Sequence, residues 1–99
     1  MSVLFRPEAE QELLAAQAWY ESKARGLGFE FARAADAAVS AAVRNPLGYL
    51  RIKGDFRRVL FRKFPYALIY LPSPDQLLVV SFFHQHREPG GWLERLGTQ

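Results

Sequence analysis

Ninety-nine residues with a formal net charge of +3 make a chain of one-domain length, read as a single domain over residues 1–99. A chain of this size buries roughly 65% of its unfolded surface and needs neither metal nor disulfide to hold it together. There is no cysteine, which excludes a disulfide scaffold and thiol chemistry. The N-terminal run MSVLFRPEAEQEL is acidic where a secretory leader needs an uncharged apolar stretch. The run from Leu77 to Phe83 falls far short of the roughly 20 residues that span a bilayer. A soluble, cytoplasmic protein with no membrane partner is expected.

Ser2–Phe5 reads as a short strand, stopped by Pro7. Pro7 suits a first helical position, and Glu8, Glu10 and Glu12 lie where the helix dipole favours anions. Ala9, Leu13, Ala16 and Tyr20 recur at helical spacing, so a first helix is predicted from Pro7 to about Lys23. Trp19-Tyr20 is read as core or helix–sheet contact. Gly26 and Gly28 break that helix, making Arg25–Gly28 the turn of a helical hairpin.

The second helix has the clearer stripe. Leu27, Phe31, Ala34, Ala35, Ala38, Val39, Ala42 and Val43 share one face, while Glu30, Arg33, Asp36 and Arg44 stay polar. Seven alanines between Ala32 and Ala42 favour helix and allow a close neighbour. Asn45-Pro46 ends it, because proline disfavours the helical region for the residue before it. Leu47–Asp55 reads as an irregular link.

Three strands follow, at about Phe56–Phe64, Tyr66–Leu71 and Gln76–Phe83. Phe64-Pro65 and Pro72-Ser73-Pro74-Asp75 separate them, and such short connections make consecutive strands antiparallel. Alternation puts Arg58, Leu60 and Arg62 on one face of the first and Arg57, Val59, Phe61 and Lys63 on the other. After Pro89 a loop with a short helical turn near Trp92–Leu96 is expected. The order β-α-α-β-β-β describes an α+β fold: a helical hairpin against a small, mostly antiparallel sheet whose other face is partly open.

Charge is unevenly spread. Residues 1–50 carry five Lys/Arg and six Asp/Glu, whereas residues 51–99 carry eight and four. Between Arg51 and Lys63 stand six cations (Arg51, Lys53, Arg57, Arg58, Arg62 and Lys63) against Asp55 alone. Such a strip is either a solvated edge that blocks aggregation or, with aromatics interleaved, a surface for nucleic acid or an acidic peptide. His84-Gln85-His86 is half a metal site at most, with no third ligand at a convincing spacing. No metal or cofactor is expected. His84 suits proton transfer near neutral pH, or is a strand-end histidine bonded to backbone. The strands hold no carboxylate to complete an acid–base pair. Trp92 closes the sheet edge or anchors a partner.

Taken in order, Ala9–Leu13, Trp19-Tyr20-Glu21, Gly26-Leu27-Gly28 with Phe31, and Asn45-Pro46 form a recognisable set. It continues with Arg57-Arg58, Phe64-Pro65-Tyr66 with Ile69-Tyr70, His84, Arg87-x-Pro89 and Trp92. This ordered set resembles the RelE/ParE superfamily of toxins from type II toxin–antitoxin modules, and spans nearly the whole chain. The resemblance implies the same fold, a cytoplasmic toxin and a cognate antitoxin in a toxin–antitoxin hetero-oligomer. RelE-like and YoeB-like members cut mRNA in the ribosome, whereas ParE-like members poison DNA gyrase. The nuclease members resemble one another in strand arginines, an acid or base, and a tyrosine near the C-terminus. Arg58, Arg62 and His84 could stand for part of that set, but no tyrosine follows Tyr70. The WYE…GLG…F and FPY…H-x-x-R-x-P-x-x-W pattern looks closer to the ParE-like branch, which implies a gyrase inhibitor rather than an enzyme. The ribosome-dependent mRNA interferase is the alternative, and a non-toxic nucleic-acid-binding or scaffold domain the second. The expected target- or antitoxin-binding residues are Arg57, Arg58, Arg62, Lys63, His86, Arg87 and Trp92.

Overall fold

A computed structural model describes residues 1–86. The chain runs β1 (Ser2–Phe5), α1 (Pro7–Lys23), α2 (Leu27–Arg44), β2 (Arg51–Lys53), β3 (Phe56–Leu60), β4 (Tyr66–Pro72) and β5 (Gln76–His84). It is an α+β fold, as the periodicities predict. The strands form one sheet in the order β1-β5-β4-β3-β2. Neighbours are antiparallel except β1, which lies parallel to β5 with Phe5 opposite Val79.

Two strand boundaries differ from the sequence reading. The link after α2 is not wholly irregular: Arg51–Lys53 pairs with β3 as a fourth C-terminal strand. Conversely, β3 stops at Leu60, and residues 61–65 bend, closed by the Phe61 N–H donating to the Tyr66 carbonyl at 2.9 Å. Continued alternation would send Phe61 and Phe64 to opposite faces. The bend lets both be buried, against Phe31 of α2 at centroid distances of 5.4 and 5.1 Å. Two aromatic burials outweigh the ladder hydrogen bonds lost there.

The helical hairpin covers one face, with α1 on β5 and α2 on β3 and β4. Phe31 sits at its centre, also touching Tyr20 and Tyr66. Ala35, Ala38 and Ala42 continue the buried stripe toward the end of α2. The hairpin turn is tight for a reason in the sequence. Gly26 adopts φ +86°, a left-handed conformation cheap only for glycine. A Cβ on Gly28 would lie 2.6 Å from the Gln17 carbonyl, so only glycine lets α2 start this close to α1. The Glu21 carboxylate then accepts the Gly26 and Gly28 N–H groups at 3.0–3.1 Å, satisfying donors at the start of α2.

The opposite sheet face, expected to be partly open, is closed at its middle. Ile69 and Val80 are buried there, with Ile52, Phe56, Leu78 and Phe83 packed around them. No helix among the described residues is long and apolar enough to cross a membrane.

Candidate functional site

The structure divides the basic strip among β2, the two faces of β3 and the bend that follows it. Arg57 is half-buried on the helix side of β3, and its Nη1 donates to the carbonyls of Leu47 and Tyr49 at 3.0 and 2.8 Å. The Tyr70 hydroxyl donates to the Pro46 carbonyl at 2.8 Å beside it. Together these two side chains pin the link between α2 and β2 to the sheet. Burial pushes the Tyr70 phenol above its ordinary pKa, with the Arg57 charge opposing that shift. Arg58 pairs with Ile69 across β3 and β4 and is half-buried. Arg62 and Lys63 lie exposed in the bend. Arg51, exposed on β2, approaches Asp55 at 4.0 Å, a surface pair of small value.

His84 ends β5 and Gln85 and His86 form a turn, which still brings the two imidazole rings edge-on at 5.9 Å. The His84 Nδ1 accepts the His86 backbone N–H at 3.1 Å, which leaves Nε2 to carry the proton in the neutral ring. Its ring meets Tyr66 edge-on at 5.1 Å. Among the described residues no three His, Asp or Glu side chains gather to hold a metal ion. Arg87 and Trp92 lie outside the described residues.

A cavity of about 360 Å³ opens between α1 and the end of β5. Ala15, Ala16 and Trp19 line its helix wall, Phe82, Phe83 and His84 its strand wall, with Tyr66 and Glu12 completing it. Trp19, read as core or helix–sheet contact, is 48% exposed here on the helix side of the cavity, while its neighbour Tyr20 packs inward. The cavity has a topological cause. β1 flanks β5 only as far as Val79, and beyond that residue β1 no longer pairs with the edge of β5. Glu12 reaches that edge from α1, its Oε1 accepting the Phe82 N–H at 3.2 Å and the buried Ser81 hydroxyl at 3.0 Å. A register shift in β4–β5 accompanies this: Tyr70 faces Val79 and Ile69 faces Ser81. Sequence reasoning gave Glu12 only a dipole role. Its position between Ala9 and Ala16 on the buried stripe was the signal that this carboxylate faces the sheet.

The sequence matches no family model and no curated protein. The fold does have a solved counterpart. A chain of the chromosomal ParDE TA system from P. aeruginosa is similar with a TM-score of 0.71 at 12% sequence identity, over 85% of this chain and 95% of that one. At that identity the likeness is one of fold.

Proposed function

We propose that this protein is the toxin of a type II toxin–antitoxin module, held inactive in the cytoplasm by a cognate antitoxin, and that its target is DNA gyrase. The carrying observation is the superposition on nearly the whole of a chain from a ParDE TA system. The ordered motif set from Ala9 to Trp92, read without that comparison, supports the same assignment. The test is expression of the chain alone in bacteria. Growth should arrest, and co-expression of the small gene beside its own should relieve the arrest. A harmless chain that binds no product of a neighbouring gene would reduce it to a plain binding module.

Two features favour gyrase over the ribosome. No tyrosine follows Tyr70 in the sequence, and one strand arginine, Arg57, holds the link in place. A gyrase poison leaves double-strand breaks, a DNA-damage response and filamentous cells while protein synthesis initially continues. Rapid mRNA cleavage without DNA damage would instead assign the chain to the ribosome-dependent nucleases. The proposed contact set for target or antitoxin is Arg58, Arg62, Lys63 and His86, with Arg87 and Trp92 beyond them. Arg57 belongs to it only through the link it holds.

A further inference from the structure

The link that Arg57 and Tyr70 pin has an outward side. The carbonyls of Pro46, Leu47, Tyr49 and Leu50 are each taken by a donor from the sheet: the Tyr70 hydroxyl, Arg57 Nη1 twice, and the Arg58 N–H. With its backbone tied inward, the link leaves Leu47 69% and Leu50 60% exposed. Exposed single leucines are ordinary. Two on one short segment, fixed by four hydrogen bonds to buried or half-buried partners, are a preorganised apolar projection. Arg44, Arg51 and Lys53, all exposed, flank it, and Asp55 is the one acidic residue between Arg44 and Arg58.

From this geometry we infer that the α2–β2 link is part of the surface by which the protein engages its target, and that the target is a folded protein with an apolar pocket rimmed by carboxylates. The inference rests on the toxin reading above and deepens it. Shape separates target from antitoxin. A segment that folds on binding needs a concave bed, which the cavity between α1 and β5 provides. A rigid projection that has already met its ordering cost fits a pocket on a partner that is itself folded. The flanking cations match carboxylates and steer the encounter.

The experiment compares the wild-type chain with Leu47→Ser/Leu50→Ser and with Lys53→Glu, in growth arrest and in binding to the purified product of the neighbouring gene. Thermal melts should coincide, since the changed side chains face solvent. The leucine variant should lose arrest by at least about tenfold in inducer threshold, as removal of an apolar anchor does. Lys53→Glu should weaken arrest in the same direction. Antitoxin affinity should stay within about twofold for both, as for residues outside an interface. A wild-type chain that arrests growth beside a folded leucine variant of equal potency would overturn the inference and leave the toxin reading standing. Variants that keep arrest but lose the antitoxin would overturn it too, by making the link the antitoxin's surface. A wild-type chain that arrests nothing removes the toxin reading, and the target surface with it.

Discussion

An arginine on a strand of a basic chain invites reading as a contact for an anion, yet Arg57 spends its Nη1 on two carbonyls of its own chain. Arg57→Ala should therefore cost stability, about 1–2 kcal/mol for charged-donor hydrogen bonds lost, measured by urea unfolding. A charge reversal at Arg57 would weaken any complex through the loosened link, so partner contacts are better tested at Arg62. Tyr70 acts beside it and gives a pH signature. Its folded-state pKa lies above the ordinary 10.0, so the folded state binds the proton more tightly than the unfolded state. The stability this contributes is fully present below pH 10 and is lost as pH rises through the folded-state value. Tyr70→Phe should cost about 0.5–1.5 kcal/mol at neutral pH by orphaning the Pro46 carbonyl. The gap between wild type and Tyr70→Phe should shrink above pH 10, followed by denaturant melts across that range. A gap that widens with pH would contradict the direction of the shift.

At the scale of elements, the hairpin joining α1 and α2 depends on one carboxylate and two glycines. Glu21→Ala strands the Gly26 and Gly28 N–H groups at the start of α2 and should cost about 1–2 kcal/mol, in the range of lost helix caps. Gly28→Ala should cost more, because its Cβ meets backbone at 2.6 Å rather than a side chain that can swing aside. Thermal unfolding of both variants checks that order. The hairpin was legible in the sequence, since Gly26 and Gly28 interrupt two long helical stripes. The boundaries of β2 and β3 were not. Arg51–Lys53 is too short to show alternation and exists because β3 offers it an edge. The bend after Leu60 is set by Phe31, which lies thirty positions upstream and draws both Phe61 and Phe64 to one side. Local periodicity cannot register a partner at that distance. The same holds for the cavity, which arises where β1 ends against β5 and so depends on a pairing between chain positions some seventy residues apart.

For the whole molecule, the placement of the candidate residues bears on whether it does chemistry. Arg58 lies across from Ile69, Arg62 in the bend after β3, and His84 at the end of β5 beside Tyr66 and the cavity wall. An RNase would need His84 to move a proton while Arg58 or Arg62 steadies charge on phosphorus, and loss of a general acid or base typically costs 10²–10⁴-fold in rate. A gyrase poison needs no proton transfer of its own. On that reading His84→Ala should leave growth arrest nearly intact, with at most a modest loss of stability from its contacts with Tyr66 and the His86 N–H. Combined Arg87→Ala and Trp92→Ala should weaken arrest by removing a cationic and an aromatic anchor. Melting temperatures measured on the same preparations separate loss of function from loss of fold. A His84→Ala protein that melts like wild type and no longer arrests growth would transfer the chain to the nucleases, since a loss of that size is what removing a general acid or base produces.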